Sequence, residues 1–282
     1  MYLVNGTEVE KVNFNLPIEN LAVWRGDGVF EAIKLHDGFP FGLNRHIERL
    51  KDSCKKQYFN GVNFELVKNS IIEISSKYKS GYVRVLILRN DSDEGFDIFS
   101  FYQNPQAIPP VITLESQFAP WHPGGDYEVY PDSLIGSKST SYANNVRQTR
   151  EANQKGYTDA LLVNSKQVIL EGPTFSIGWI DGNEVFVPDL GLGILNSITR
   201  QYLLKFGDEK KLKVNCARIT LQEIYKVDSV FILSTAKHAV FVSKIDDNLY
   251  SESPVIKDIQ ELYKQEVLLE KARFQEVINE TH

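Results

Sequence analysis

Apolar and polar residues alternate from Tyr2 to Val9 around an Asn5-Gly6 pair, which predicts a hairpin at the start of the chain. A second stretch of period two, Gly28 to Leu35, closes at Asp37-Gly38 and returns through Phe39-Pro40-Phe41. The spacing then changes. Ile47, Leu50 and Cys54 share one face of a helix over about Asn44 to Gln57. Val67, Ile71, Ile74 and Tyr78 share a face of a second, over about Phe64 to Tyr78. Two strands follow, Tyr82 to Leu88 and Phe96 to Tyr102, on either side of the polar loop Asn90 to Gly95. Antiparallel strands with two helices make an α+β unit.

Gln117 to Asp126 holds two prolines and two glycines and reads as a linker. The expected organisation is a two-domain α+β and α/β chain: a small N-terminal α+β domain over 1–116, a linker over 117–126 and a larger C-terminal domain over 127–282. Beyond the linker, strands and helices alternate. Glu128 to Ser137 is strand-like, and Thr140 to Lys155 has the look of a helix. Leu161 to Val163, Val168 to Leu170, Ser176 to Ile180 and Val185 to Val187 read as strands, the last two turning at Asp181-Gly182-Asn183. Thr220-Leu221-Gln222-Glu223 has the form of a capping box. Val230 to Leu233 and Ala239 to Val242 flank the triplet Ser234-Thr235-Ala236. The last helix opens with Ser253 as N-cap and Pro254 at its first position, and Ile256, Ile259, Tyr263 and Val267 form its apolar face.

Composition narrows the classes of function. With 282 residues, 42% hydrophobic and 24% charged, the chain is an ordinary globular one. A net charge of −6 with no basic run argues against nucleic acid or an anionic membrane surface as a partner. No apolar stretch approaches the roughly 18 residues of a membrane helix, and the first residues show no secretory pattern. Cys54 and Cys216 are isolated, and the five histidines have no metal-ligand spacing, so no metal is expected and a reduced, cytoplasmic setting fits. Gly191-x-Gly193 lacks the third glycine of a dinucleotide fingerprint and reads as a turn.

Candidate chemistry concentrates between Gly136 and Arg200. Lys138 stands among small polar residues, Glu171 ends a strand before Gly172-Pro173, and Ser197-Ile198-Thr199 opens a helix. Singly these are a surface charge, a rim carboxylate and an N-cap. Together they supply an amine for covalent attachment, a carboxylate to keep a pyridine nitrogen protonated and a helix N-terminus for a phosphate. Those are the needs of pyridoxal 5′-phosphate.

The motifs resemble class IV aminotransferases, the fold type IV pyridoxal phosphate enzymes, which include branched-chain aminotransferases, D-amino acid aminotransferases and aminodeoxychorismate lyases. Gly26-Asp27-Gly28-Val29-Phe30-Glu31, His46-Ile47-Glu48-Arg49-Leu50, Lys138, Glu171-Gly172, Ile194-Leu195-Asn196-Ser197-Ile198-Thr199-Arg200 and Ser234-Thr235-Ala236 occur in the family's order and span nearly the whole chain. The resemblance implies that Lys138 carries the cofactor and moves protons, and that Glu171 meets the ring nitrogen. It implies that Arg49, Ile198, Thr199 and Thr235 hold the phosphate, and that Tyr142 reaches the phenolic oxygen. Arg suits phosphate because its planar fork matches the oxygens. His46 is expected to be structural. The family also implies a homodimer, with a loop such as Asn90 to Gly95 completing the partner's site.

Where the family usually has Asn and an aromatic residue after the glutamate, this chain has Ser176 and Gly178. That departure bears on the subfamily and leaves the cofactor residues intact. Tyr82-Val83-Arg84 resembles the Tyr-x-Arg strand motif of branched-chain aminotransferases, and a period of two puts both side chains on one face to meet a substrate carboxylate. Phe30 and Trp24 offer an apolar pocket, and Ala236 lies in the turn expected beside the substrate. The Arg-x-His trap of D-amino acid aminotransferases is missing, since no histidine occurs between Asn90 and Phe101. The expected function is therefore amino transfer between an L-branched-chain amino acid and a 2-oxo acid. Aminodeoxychorismate lyase and D-amino acid aminotransferase are the alternatives within the family, and a non-catalytic pyridoxal phosphate-binding protein on the same fold is the alternative from another functional class.

Overall fold

A computed structural model describes residues 1–90, 95–105, 107, 109–122, 134–236 and 238–280. The chain forms two compact units. Unit 1 comprises Met1–Ala107, Ser137–Tyr142 and Glu266–His282, and unit 2 comprises Ile108–Gly136 and Ala143–Gln265.

Unit 1 holds β1 (Tyr2–Val4), β2 (Thr7–Glu8), α1 (Leu21–Arg25), β3 (Gly28–His36), β4 (Phe39–Pro40), α2 (Leu43–Lys56), α3 (Phe64–Lys77), β5 (Ser80–Arg89) and β6 (Phe96–Gln103). The strands make one antiparallel sheet in the order β2-β1-β6-β5-β3-β4. The alternation of β3 sets its two faces. Val29, Ile33 and Leu35 are buried with Val83, Val85 and Ile87 of β5 against Ile47, Leu50 and Cys54 of α2 and Val67, Ile71 and Ile74 of α3. These are the helix faces expected from the spacing. Asn63 caps α3 by accepting from the Leu66 amide at 3.1 Å.

His36 ends β3, packed edge-on to Phe41 at 5.9 Å between ring centroids. Burial, with Lys34 nearby, pushes its pKa down to about 4. The unfolded imidazole titrates near the ordinary value of about 6.5. Between those pH values the unfolded chain binds a proton that the native chain does not, so stability falls as pH drops through that window. One proton corresponds to a slope of at most about 1.4 kcal/mol per pH unit. The urea midpoint of the wild type is expected to drop between pH 6.5 and pH 4.5, and by less in His36→Asn. Identical pH profiles for the two proteins would contradict this.

Unit 2 holds β7 (Ile112–Phe118), α4 (Ala143–Gln154), β8 (Asp159–Val163), β9 (Ser176–Asp181), β10 (Glu184–Pro188), α5 (Ile198–Asp208), β11 (Val214–Ala217), α6 (Leu221–Ile224), β12 (Ser229–Ser234), β13 (His238–Ile245) and β14 (Asn248–Leu249). α7 (Val255–Glu280) begins here, and its residues from Glu266 belong to unit 1. The sheet runs β11-β10-β9-β12-β13-β7-β8, with β14 beside β13. It is mixed: β10–β11, β13–β7 and β7–β8 are parallel and the other pairs antiparallel. Ile177, Trp179, Val230, Ile232, Val242 and Leu161 form its core with Leu221 and Ile224 of α6. Thr220 and Glu223 form the expected capping box of α6. Ile256, Ile259 and Tyr263 are fully buried, as the apolar face of the last helix requires.

Three local expectations differ from what is found. Thr140 to Tyr142 are not helical, and α4 starts only at Ala143. The Thr140 amide donates to the Gly28 carbonyl at 2.8 Å and its hydroxyl to the Gly26 carbonyl at 2.9 Å, so the backbone pairs sideways with β3 instead of along a helix. Val168 to Leu170 forms isolated bridges and no continuous strand. The strand-like stretch Glu128 to Ser137 lies outside the described residues up to position 133, and the part that is described, from Leu134, forms a turn. Among the described residues no helix is long and apolar enough to cross a membrane.

Candidate active site

In unit 1 the anchor is the open edge of β3. The segment around Lys138 pairs with it: the Phe30 amide donates to the Lys138 carbonyl at 2.9 Å, and Ser139 bridges Val29. The Lys138 amide donates to the Ser53 hydroxyl of α2 at 3.1 Å. The lysine side chain is partly exposed, and its Nζ lies 4.4 Å from the centroid of the Phe30 ring. Tyr142 meets Phe30 edge-on at 5.5 Å, and its ring centre is 6.0 Å from Lys138 Nζ. Lys138, Phe30 and Tyr142 thus form one cluster, an amine flanked by two aromatic faces.

The β3–β5 register sets Phe30 opposite Leu86, Ala32 opposite Arg84 and Lys34 opposite Tyr82. Residues directly opposite in an antiparallel pair share a face. Phe30, Tyr82 and Arg84 therefore project from the same side of the sheet; for Tyr82 and Arg84 this is the shared face that a period of two predicts. Arg84 Nε donates to Gln103 Oε1 at 2.6 Å, and Lys34 Nζ lies 4.7 Å from the centre of the Tyr82 ring. Burial lowers the pKa of Lys34 and raises that of Tyr82, the latter opposed by the charge of Arg84. Trp24 is exposed at the end of α1, with its ring nitrogen bonded to the Glu19 carbonyl.

Arg49 stands on the opposite face of β3, buried between strand and helix. Its Nε donates to Glu31 Oε1 at 2.7 Å and its Nη2 to Glu31 Oε2 at 2.8 Å. His46, one turn earlier on α2, places Nδ1 at 2.7 Å from the same Oε2. Burial alone would raise the Glu31 pKa, but the Arg49 charge and His46 outweigh it and hold the carboxyl well below the usual range.

In unit 2 the candidate residues lie at Glu171, in the first turn of α5 and in the turn between β12 and β13. Glu171 Oε1 accepts from the Leu195 amide at 3.1 Å, which braces the turn leading into α5. Ser197 caps that helix, accepting from the Arg200 amide at 3.4 Å and pairing with the Thr199 hydroxyl at 2.9 Å. Ile198 and Thr199 are fully buried in the first turn, where amides have no partner within the helix. Tyr263 donates its hydroxyl to the Thr199 carbonyl and ties the turn to α7. Thr235 and Ala236 are half-buried in the turn between β12 and β13. Ser176 faces the same end of the sheet, paired with Leu233, and its buried hydroxyl has no hydrogen-bond partner among the described residues. The glycine at 178 has a packing reason: an added Cβ would sit 2.5 Å from the Phe231 ring.

The structure thus brings Lys138, Phe30 and Tyr142 together, puts Tyr82 and Arg84 on the Phe30 face, and leaves Arg49 on the other. Glu171 and the start of α5 form a second group, in unit 2. Glu31, Gln103, Lys34 and Ser53 were not singled out from sequence. For Glu31 a signal exists: it is the one carboxylate among Val29, Ile33 and Leu35 on the core-facing positions of β3.

Residues 28–245 match the model of the family "Amino-transferase class IV", and the chain belongs to that family. A "Putative branched-chain-amino-acid aminotransferase" of Methanocaldococcus jannaschii is 27% identical, over 93% of this chain and 94% of its own length. An "Aminodeoxychorismate lyase" of Bacillus subtilis is 26% identical, over 95% and 94%. Among solved structures, "A hypothetical aminotransferase from Mycobacterium tuberculosis, PLP-bound form" superposes with a TM-score of 0.87 at 18% identity, covering 96% of this chain and 99% of that one. The fold is that of the fold type IV enzymes.

Proposed function

We propose that this protein is a transaminase that uses pyridoxal 5′-phosphate to move an amino group between an L-branched-chain amino acid and a 2-oxo acid. The residues present fit that cofactor. A helix start with a Ser197–Thr199 hydroxyl pair and an arginine fixed by two bonds suit a phosphate. The Ser176 hydroxyl at the start of β9, without a partner among the described residues, adds a buried polar group suited to a ligand atom.

In this reading Arg49, Ile198, Thr199 and Thr235 hold the phosphate, Tyr142 holds the ring oxygen, and Glu171 keeps its charge against the ring nitrogen. When bound, the cofactor supplies an electron sink for the pair left on the substrate α-carbon. Lys138 Nζ would hold the cofactor covalently and would move the proton of the substrate α-carbon. Arg84 and Tyr82 receive the substrate carboxylate, and Phe30 and Ala236 contact the rest of the substrate. The working form is a homodimer in the cytoplasm.

The observation that carries the substrate class is the shared face of Tyr82, Arg84 and Phe30 set by the β3–β5 register. Arg84→Ala is expected to raise KM for amino acid and 2-oxo acid alike. A lost charge-assisted contact costs about 1.5–3 kcal/mol in kcat/KM, roughly 10- to 150-fold. An unchanged KM for both would remove Arg84 from the substrate site. L-leucine, L-isoleucine or L-valine should react with 2-oxoglutarate. The similarity to the B. subtilis lyase favours one second reading, elimination of pyruvate from aminodeoxychorismate. A panel giving pyruvate from that compound, or turnover of D-alanine, with no L-branched-chain activity would overturn the substrate assignment.

A further inference from the structure

The outer face of the unit 1 sheet carries one cation more than the reading above employs. The strand registers set out that face row by row: Phe30 beside Leu86 and Phe99, Ala32 beside Arg84 and Phe101, and Lys34 beside Tyr82 and Gln103. The Lys138 amine lies at the first row, against the Phe30 ring. Arg84 rises from the second row and Lys34 from the third, as diagonal neighbours whose Cα atoms stand about 7–8 Å apart. Between Phe30 and Lys34 on β3 stands only the methyl group of Ala32. Among the described residues neither cation forms an ion pair. Arg84 donates to the neutral Gln103, and the Lys34 ammonium lies against the Tyr82 ring. Burial lowers the Lys34 pKa, as for a charge that gives up water with no carboxylate in exchange. The carboxylate of Glu31 is on the other face of β3, bound to Arg49 and His46.

We propose that Lys34 is the specificity-determining residue for the amino acceptor, its ammonium receiving the second carboxylate, at the far end of a dicarboxylic 2-oxo acid. This rests on the reading of Arg84 and Tyr82 as the site of the α-carboxylate. A monocarboxylic acceptor satisfies Arg84 and leaves Lys34 half-buried and unpaired. A dicarboxylate brings one anion to each cation. The order of the rows fits such a molecule: the reacting carbon stands by the Lys138 amine, and both carboxylates lie further along the face. The residue type also suits a subsite that takes an apolar donor side chain in the other half of the reaction. Lysine has a long methylene stem and a compact, movable charge. The stem meets a branched-chain side chain, whereas the ammonium meets a carboxylate.

The test uses protein loaded with pyridoxal 5′-phosphate, L-leucine as donor, and 2-oxoglutarate or 2-oxopentanoate as acceptor. The two acceptors have equal carbon chains and differ only in the far carboxylate. The wild type is expected to favour 2-oxoglutarate. Lys34→Met keeps an unbranched stem and removes the charge. It should cut the 2-oxoglutarate to 2-oxopentanoate ratio of kcat/KM roughly tenfold, the scale of one charge-assisted contact, chiefly through KM. Lys34→Arg should restore most of the ratio, and Lys34→Gln replaces Lys34→Met if the latter does not fold. A second readout needs no turnover: calorimetric titration with glutarate and with pentanoate should show the same narrowing. A wild type indifferent to the far carboxylate, an unchanged ratio in a folded variant, or equal loss for both acceptors and both analogues would overturn the proposal. Arg84→Ala tests the reading beneath it and should weaken glutarate and pentanoate alike. If it weakens neither, or if L-leucine gives no turnover, that reading fails, and the titration of Lys34→Met still decides the role of Lys34.

Discussion

Lys138→Ala is expected to fold and to show no measurable transamination. Its backbone bonds, from the Phe30 amide and to the Ser53 hydroxyl, do not depend on the side chain. What disappears is the amine beside the Phe30 and Tyr142 rings. Stability should change little, because an exposed cation–π contact contributes only about 0.5–1 kcal/mol. In the proposed role of Lys138, turnover would lose both the covalent anchor and the group that carries the α-proton. A positioned acid–base group alone accounts for about 10²–10⁴-fold in rate, so the combined loss should fall below detection. Turnover within tenfold of the wild type, with a normal melting temperature, would exclude Lys138 from the chemistry.

Glu171→Gln is expected to lower kcat by about 10²–10³-fold, the size of a lost electrostatic partner at a reacting centre, while cofactor still binds. The substitution isolates charge from shape. A glutamine oxygen can accept from the Leu195 amide as Glu171 Oε1 does, so the turn into α5 keeps its brace. A neutral partner cannot hold the ring nitrogen protonated, and the electron sink weakens. The discriminating readouts are kcat and the cofactor dissociation constant on the same preparation. A kcat within a few-fold of the wild type would contradict the role given to Glu171.

Periodicity was informative where one face of an element is buried and the other is not. β3, β5, α2 and α3 follow their patterns closely, because a single core packs against one side of each. β7 carries no clear period because its polar residues Glu115 and Gln117 are buried too, bonded to one another at 2.6 Å, with Glu115 also bonded to Lys155 in the turn after α4. β11, with Asn215 and Cys216 exposed, is an edge strand whose sequence carries no apolar signal. Thr140 to Tyr142 read as helix because the competing partner, the β3 edge, is more than 100 residues away in sequence.

The candidate site was readable to the extent that it follows family motifs. Lys138, Glu171, Arg49 and Thr199 stand in named motifs, whereas their supporting contacts do not. A lone glutamate on an apolar strand face marks Glu31 as unusual, but only tertiary packing reveals that α2 delivers Arg49 and His46 to it. Gln103 behind Arg84 has no local signal at all.

The central claim is that Lys138 carries the cofactor, and one measurement addresses it directly. Protein loaded with pyridoxal 5′-phosphate is treated with borohydride, digested, and sequenced by mass spectrometry. The expected result is a single reduced adduct on Lys138. An adduct on another lysine, such as Lys155 in the turn after α4 or Lys166 in the turn after β8, with Lys138 unmodified, would contradict the claim.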